Sequence, residues 1–435
     1  MRIVRHSILP IAIIALAVGL GNGVYAFHDG GVATCDGCHS VHNPYGTGTL
    51  GNGVNLLLGA EPSSACLRCH ERAGDTGPRS YHISTPEAEV PTGVSPIQRS
   101  PGGDFAWLHK TYTWTGRSGL STEEGQSHGH NIIATAGVGR DAPIATYNYT
   151  VDTDNEFAPG NSGFPSASLG CQSCHDPHGQ ARRDDSNVII GAGTTGDPII
   201  ESGSYNDSAD PVSGLAVGVY RILAGPGYNQ DGVTFPGAPD AVAPHTYNQS
   251  EATNQVKVAY GRATGSGHAT WSEWCGTCHP DMHYDNGANY VHKTDYALGS
   301  IVGPNYNKYK KTGDLTATSG NSFTSLVPYI LNTGNYTTLK AAAGNTSATY
   351  AGPANTDRVD CLSCHRAHAS GFEYALRWNP NYEFLTDENG NYFNSNSASG
   401  GKTSAEVEDA YYDRVDTATF AKAQRSLCNK CHIKD

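Results

Sequence analysis

One continuous run of hydrophobic residues stands out along the chain. It extends from Ile8 to Leu20, and no later stretch approaches its length. Farther along, apolar residues recur at the spacing of one helical face, and this pattern predicts a helix from about Ser404 to His432. The residues that form this pattern are Val407, Tyr411, Val415 and Ala418.

Most of the remaining sequence has the composition of turns and loops. Residues 191–203 and 226–244 are dense in Gly, Pro, Asp and Asn, which favour turns. Short strands are predicted at Tyr112–Trp114 and Tyr329–Leu331, and elsewhere only short helices are expected. Such a chain needs something other than regular secondary structure to organise it.

The apolar run is typical of a secretory signal. Arg2 and Arg5 precede it, and Ala26 supplies the small residue that a signal peptidase requires. A membrane anchor is the alternative, but the run is shorter than the ~20 apolar residues that span a bilayer. We therefore expect residues 1–26 to be a signal peptide and residues 27–435 to form a single secreted unit without a membrane span.

Composition and charge narrow the class of protein. Hydrophobic residues make up 37% of the 435 residues and charged residues 16%, which fits neither a disordered polyelectrolyte nor a coiled coil. The formal net charge is -13, whereas proteins that bind nucleic acid need a basic surface. We therefore expect no nucleic-acid partner.

The cysteines indicate the cofactor. All 12 occur in six Cys-x-x-Cys pairs, here numbered first to sixth motif, and a histidine follows each pair directly. This is the attachment motif of c-type haem, in which the adjacent histidine becomes the proximal iron ligand. The attachment cysteines are Cys35, Cys38, Cys66, Cys69, Cys171, Cys174, Cys275, Cys278, Cys361, Cys364, Cys428 and Cys431. The proximal histidines are His39, His70, His175, His279, His365 and His432.

Three other uses of paired cysteines explain less of the pattern. Disulfides in an exported protein need no following histidine, and a zinc ribbon would leave the six histidines unexplained. A thioredoxin-type redox pair needs a strand and a helix around it, which the glycine-rich surroundings of Cys35 and Cys171 do not provide. We therefore expect six covalently bound c-type haems, with iron as the metal.

Six haems within residues 27–435 would fill much of the interior and explain the modest hydrophobic content. The predicted fold class is a multihaem c-type cytochrome, mostly loop with short helices and few strands, organised around six covalently attached haems. Haems packed this closely exchange electrons with their neighbours. The motifs start at residues 35, 66, 171, 275, 361 and 428, and these unequal intervals argue against a solenoid of identical repeats.

The sixth ligand of each iron distinguishes an electron carrier from an enzyme with an open coordination position. Met282 is the only methionine within residues 27–435, and methionine ligation raises haem potentials. The residue types therefore predict bis-histidine haems at low potential. Twelve further histidines are available: His28, His42, His82, His109, His128, His130, His178, His245, His268, His283, His292 and His368.

Four of these histidines lie three or four residues after a proximal histidine: His42, His178, His368 and His283. On a helical turn this spacing puts both imidazoles near one edge. Such a histidine cannot bend back over its own haem, but it can reach a neighbour's iron. His82 and His130 are further candidates, and the positions of the remaining histidines favour them less.

Beyond these motifs, the chain resembles the OmcS-like hexahaem cytochromes, outer-surface proteins of metal-reducing bacteria that polymerise into extracellular filaments called cytochrome nanowires. The resemblance spans residues 27–435 and includes segments that have no general role in haem attachment. The matching segments are Phe27-His28 with Gly30-Gly31, and residues 73–78, 80–83, 110–114, 129–131, 174–179, 272–275, 364–369 and 428–432.

The resemblance implies bis-histidine ligation at every haem and a haem chain that continues into the next subunit. It implies eight candidate distal ligands, of which six suffice: His28, His42, His82, His130, His178, His283, His292 and His368. It also implies a head-to-tail homopolymer in which His42 ligates a haem of the adjacent subunit, the one attached at Cys361 and Cys364. The implied partners are outer-membrane cytochrome donors and extracellular electron acceptors.

The predicted function is extracellular electron transfer to metal oxides, electrodes or partner cells, without enzymatic activity. Two alternatives stay open, a monomeric exported shuttle and a multihaem reductase of a small nitrogen or sulfur oxyanion. A reductase would need a five-coordinate iron and a basic channel for its substrate. Without Arg2 and Arg5, 26 basic residues are diluted among 41 acidic ones, and no basic cluster indicates such a channel.

Overall fold

The structure of the chain is a computed structural model. It describes residues 35–39, 56–59, 61–72, 74, 76–116, 119–134, 157–161, 163–191, 197–253, 255–282, 292–309, 317–344, 350–393 and 401–432. The predicted signal peptide and the candidate ligands His28, His42 and His283 lie outside these residues.

Helices are short throughout the described residues. The longest, Gly299–Lys308, has ten residues, and no helix in the described ranges has the length and hydropathy needed to cross a membrane. The α-helices are Cys35–Cys38, Pro62–His70, Ser250–Thr253, Trp271–Gly276, Gly299–Lys308, Tyr336–Ala343, Cys361–Cys364, Ser404–Ala410 and Asp416–Thr419. The 3₁₀ turns are Glu87–Glu89, Phe105–His109, Gly125–His128, Ser166–Ser168, Cys171–Ser173, Tyr220–Ile222, Glu373–Ala375 and Leu427–Lys430.

The strands are also short. They are β1 Tyr112–Gly116, β2 Gly119–Glu123, β3 Arg182–Arg183, β4 Ile189–Ile190, β5 Ile199–Glu201, β6 Ala216–Gly218, β7 Asn229–Gln230, β8 Val233–Thr234, β9 Ala241–Val242, β10 Ala259–Gly261, β11 Tyr296–Ala297, β12 Ile330–Leu331 and β13 Arg358–Val359. They form two hairpins, β1-β2 and β7-β8, and two sheets of order β11-β13-β12-β10-β9 and β4-β3-β6-β5. Strand β10 runs parallel to β12, and β5 runs parallel to β6. Strands β1 and β12 confirm the two strands predicted from the sequence.

The helix predicted from Ser404 to His432 begins as expected but is wrong in its length. The Thr403 hydroxyl accepts a hydrogen bond from the backbone N–H of Glu406 and starts the helix, which ends at Ala410. Beyond it, only Asp416–Thr419 and Leu427–Lys430 are helical.

Tertiary contacts end this helix. Tyr412 and Asp413 adopt left-handed backbone conformations, with φ of 62° and 54°. In this conformation the Tyr412 hydroxyl donates to the carbonyl of Ser100 at 2.6 Å, and Asp413 pairs with buried Arg99 at 2.8 Å. These contacts outweigh the helical periodicity of the sequence.

Buried tyrosines fasten the loops to one another. Their hydroxyl groups donate to main-chain carbonyls of segments distant in sequence, so the ring fills the core while the oxygen holds a loop. Such a hydrogen bond contributes about 1 kcal/mol net. The pairs are Tyr306 with Val327, Tyr309 with Arg425, Tyr329 with Ala351, Tyr392 with Arg414 and Tyr412 with Ser100, at 2.5 to 2.7 Å.

We expect Tyr306→Phe to lower the free energy of unfolding by about 1 to 3 kcal/mol, because it leaves the buried carbonyl of Val327 without this donor. Tyr374→Phe is the matched control, since Tyr374 is 69% exposed. Denaturant unfolding of the haem-loaded proteins, followed by circular dichroism, measures both. Equal stability of the two variants would contradict the role assigned to the Tyr306 hydroxyl.

Candidate haem ligand sites

Each attachment motif closes a short helical turn. All twelve cysteines are among the described residues, and none is bridged to another. In five motifs the backbone N–H of the proximal histidine donates to the carbonyl of the first cysteine, at 2.8 to 3.1 Å. This turn gathers two thiols and one imidazole within five residues, as covalent attachment of a single haem requires. The five histidines are His39, His175, His279, His365 and His432.

Main-chain carbonyls orient four of the proximal rings through Nδ1. Because a carbonyl can only accept, the proton lies on Nδ1 and Nε2 keeps its lone pair for a metal. The acceptors are Tyr81 for His70 at 2.9 Å, Arg221 for His175 at 2.8 Å, Pro159 for His279 at 2.8 Å and Tyr374 for His365 at 2.7 Å.

Four proximal histidines face a second histidine from another part of the chain. The ring centres are 6.4 Å apart for His39 with His178, 6.4 Å for His175 with His368, 6.0 Å for His279 with His130 and 6.0 Å for His432 with His292. Metal–nitrogen bonds of about 2 Å on opposite sides of one ion would separate two imidazole centres by about 6 Å. The four pairs therefore fit bis-histidine haem irons.

His178 and His368, which follow proximal histidines by three residues, face the ring of a different motif, as the spacing argument expects. The helical turn assumed in that argument is wrong, however. At His365 the backbone is already extended, with φ of -106° and ψ of 152°. An extended residue points the chain away from its own motif and toward a neighbour.

A tight turn after the third motif holds His178. The buried carboxylate of Asp176 accepts the backbone N–H groups of His178 and Gln180, at 3.0 and 2.8 Å. Gly179 follows with φ of 54°, a conformation that suits glycine. The Asp-Pro-His-Gly sequence thus fixes where the imidazole lies.

One loop after the fifth motif orients two candidate ligands. His368 donates its backbone N–H to Gly102 at 2.7 Å, and its carbonyl accepts the N–H of His130 at 2.9 Å. The Nδ1 of His130 lies 2.7 Å from the carbonyl of Ala367. A Cβ on Gly102 would lie 2.8 Å from the His368 ring, so glycine leaves the space for that imidazole. Desolvation lowers the pKa of His368 to about 3, which keeps the ring neutral, as metal ligation requires.

Strained backbone delivers two of the carbonyls to proximal rings. Arg221 and Tyr374 have φ of 53° and 59°, a region that costs a non-glycine residue about 1 to 3 kcal/mol. The guanidinium of Arg221 lies over the rings of Tyr247 and Tyr205, 4.0 and 4.5 Å from their centres. Cation–π contacts of this kind contribute about 0.5 to 2 kcal/mol each, which offsets the strain and holds the carbonyl beside His175.

The first, third and fifth motifs share one backbone pattern. In each, a later segment donates an N–H to the carbonyl of the second cysteine, and a leucine just before that N–H pairs with the proximal histidine in an isolated β-bridge. The donors are Leu58 to Cys38, Ala224 to Cys174 and Arg377 to Cys364, at 2.8 to 2.9 Å, and the leucines are Leu57, Leu223 and Leu376. Alternate motifs are therefore equivalent, although their intervals predicted no repeat.

Thiols of successive motifs lie close enough to perturb one another. Hydrogen bonding with Cys171 raises the pKa of Cys66, and hydrogen bonding with Cys361 raises that of Cys275. In three other cases burial is the larger cause and a thiol of the next motif adds to it: Cys38 with Cys69, Cys174 with Cys278 and Cys364 with Cys431. The six motifs are thus neighbours in sequence order.

Four histidines lie beside carboxylates instead. His268 is the clearest case, because its Nδ1 is 3.0 Å from Asp240 and its Nε2 is 2.9 Å from the carbonyl of Asn187, which leaves no nitrogen for a metal. The other pairs are His109 with Glu87 at 3.8 Å, His128 with Glu123 at 2.8 Å and His245 with Asp207 at 2.5 Å. The sequence did not favour any of these four histidines as a haem ligand. It gave no sign of the carboxylates that lie beside them.

Comparison with characterised proteins agrees with this geometry. No protein-family model matches the chain. C-type cytochrome OmcS of Geobacter sulfurreducens is 45% identical over 448 residues, which cover 98% of each protein. The chain belongs to the OmcS family of c-type cytochromes.

Two solved structures of OmcS from the same organism, described as an outer membrane cytochrome S filament and as nanowires imaged by cryo-electron microscopy, also match. Both align with a TM-score of 0.79 over 94% of this chain and 100% of theirs, at 45% and 44% identity. OmcS family membership confirms the multihaem fold, the six c-type haems and an electron-transfer role rather than an enzymatic one. It leaves the reductase alternative without support.

We expect His368→Ala to convert one haem of six to a high-spin form that binds carbon monoxide, because the ring facing His175 is lost. His268→Ala should keep all six haems low-spin, since both nitrogens of His268 bond to protein groups. Visible and electron paramagnetic resonance spectra of the two purified variants provide the measurement. A low-spin spectrum for His368→Ala would remove His368 from the ligand set.

Proposed function

We propose that the chain is an extracellular electron conduit. In this proposal six bis-histidine haems form a continuous wire, and subunits polymerise head to tail to carry respiratory electrons to external acceptors such as metal oxides, electrodes or partner cells. The facing imidazole pairs and the sequence-order contacts of the motifs support it most directly. The related OmcS structures are themselves filaments.

The spacing of ligands from the odd motifs supports a link between subunits. His178, three residues after the third proximal histidine, faces the first motif, and His368, three residues after the fifth, faces the third. Each odd motif thus faces a histidine that follows the next odd motif by three residues. By the same rule, the fifth motif takes its ligand from a histidine three residues after the proximal histidine of a further odd motif. We assign that ligand to His42 of an adjacent subunit. Because such a head-to-tail contact does not close on itself, it generates an open filament.

The even motifs follow a second relation. His130, before the third motif, faces the fourth, and His292, before the fifth, faces the sixth. By the same relation a histidine before the first motif serves the second, and His28 is that residue. His82 fits less well, because it directly follows Tyr81, whose carbonyl orients the proximal ring of His70 through Nδ1, the side of that ring away from Nε2. This leaves His283 outside the ligand set.

We expect His28→Ala to leave one haem of the secreted protein without its sixth ligand, whereas His82→Ala should keep six low-spin haems. Both variants should retain six covalent haems by intact mass. The spin state of each purified variant is the measurement. The reverse pattern would assign the second haem to His82.

The experiment that tests the proposed function is His42→Ala. The variant should carry six covalent haems and fold, but one haem per subunit should change its axial ligation and filaments should be absent. Electron microscopy and visible spectra of the secreted protein measure these outcomes, with His245→Ala as a matched control on a histidine that faces Asp207. Normal filaments of His42→Ala with only low-spin haems would overturn the inter-subunit assignment.

A further inference from the structure

Three arginines are buried beside the fifth attachment motif. Arg366, Arg377 and Arg414 are 1%, 1% and 3% exposed. Together with Glu251, we call them the arginine cluster. The Glu251 carboxylate, on a residue 2% exposed, lies 3.3 Å from Arg366 and 3.6 Å from Arg377. Arg414 instead donates to the main-chain carbonyl of Glu251 at 2.7 Å.

The cluster carries more positive than negative charge. Within the described residues, one carboxylate accompanies three guanidinium groups, and the nearby Asp409 and Asp413 pair with Arg99. Four buried guanidinium nitrogens have no hydrogen-bond partner among the described residues: Nε and Nη2 of Arg366 and Nε and Nη1 of Arg414. Burial lowers the pKa of Arg414 to about 10, so the group remains charged at neutral pH.

The chain holds this charge against the motif itself. Arg366 directly follows the proximal His365, and its guanidinium stacks on the ring of Tyr412, 3.6 Å from the centre. The Nε of Arg377 donates to the carbonyls of Leu362 and His365, at 2.8 and 3.1 Å. Both carbonyls belong to the attachment turn.

A fixed positive charge favours the reduced state of a nearby redox centre, because reduction adds one negative charge there, and the low dielectric of the interior strengthens the effect. We propose that the arginine cluster raises the reduction potential of the haem attached at Cys361 and Cys364, so that electrons reside there longest in each subunit. The inference rests on the proposed haem assignment. In the step concerned, one electron passes between neighbouring haems, one iron going from Fe(II) to Fe(III) and the other from Fe(III) to Fe(II), with no bond broken.

Substitutions that change charge in opposite directions test the proposal. Arg414→Gln removes a positive charge at a residue whose guanidinium bonds to Glu251 and Ser325, outside the attachment turn. Glu251→Gln removes the negative charge. Arg414→Lys keeps the charge and serves as the matched control. Each variant is first checked for six covalent, low-spin haems.

Spectroelectrochemical titration of the purified proteins measures the effect. In Arg414→Gln one haem should titrate at a lower potential than in the parent, and it contributes about one sixth of the total absorbance change. The expected shift is a tenfold change in the oxidised-to-reduced ratio of that haem at a given potential, which is 59 mV for one electron. In Glu251→Gln the same fraction should move to higher potential, and Arg414→Lys should match the parent. Shifts in the same direction, or titrations identical to the parent, would overturn the role of the cluster. Fewer than six low-spin haems in the parent protein would instead count against the proposed function.

Discussion

The proposed haem wire depends on one geometric constraint: two neutral imidazoles must be held with their ring centres about 6 Å apart. The chain meets it through main-chain carbonyls that fix the proton on Nδ1, and it bends its backbone to deliver them. Arg221 and Tyr374 adopt left-handed conformations at the residues whose carbonyls hold His175 and His365. Where the structure describes the chain, the scarcity of long helices and strands is therefore not a lack of order. Four of the described loops and turns each place a carbonyl beside one proximal ring.

The haem-attachment residues could be predicted from the sequence, because all residues of each attachment motif lie within five consecutive positions. The cysteines, proximal histidines and mostly irregular fold all follow from it. The pairing of rings could not be predicted, because nothing near His432 indicates that His292 faces it. The helix beginning at Ser404 was overestimated for a similar reason, since Asp413 turns away to meet Arg99. The equivalence of alternate motifs did leave a trace, because only the first, third and fifth have a histidine three residues after the proximal one.

The net charge of the whole chain is not shared by its interior, since the buried charges of the described residues nearly balance. The chain is acidic overall, with a formal net charge of -13, yet buried arginines and tyrosines occupy positions that aliphatic residues fill in ordinary cores. Tyrosine provides both bulk and a hydroxyl for a loop carbonyl, as between Tyr309 and Arg425. Arginine provides several donors and a fixed charge, which stacks well on tyrosine, as Arg366 does on Tyr412. A core of these residues can both hold irregular backbone and set the local electric field.

The long separation in sequence between facing rings has a consequence for biogenesis. His39 and His175 face histidines that are synthesised well over a hundred residues later, His178 and His368. In the proposed ligand set, the earliest haem-bearing segments therefore wait during export, with their coordination incomplete, until later segments emerge. A chain cut short by proteolysis or interrupted translation would expose irons open to oxygen and other small ligands. Because the first haems gain their second ligand only from later segments, complete coordination in this ligand set indicates that those segments are present.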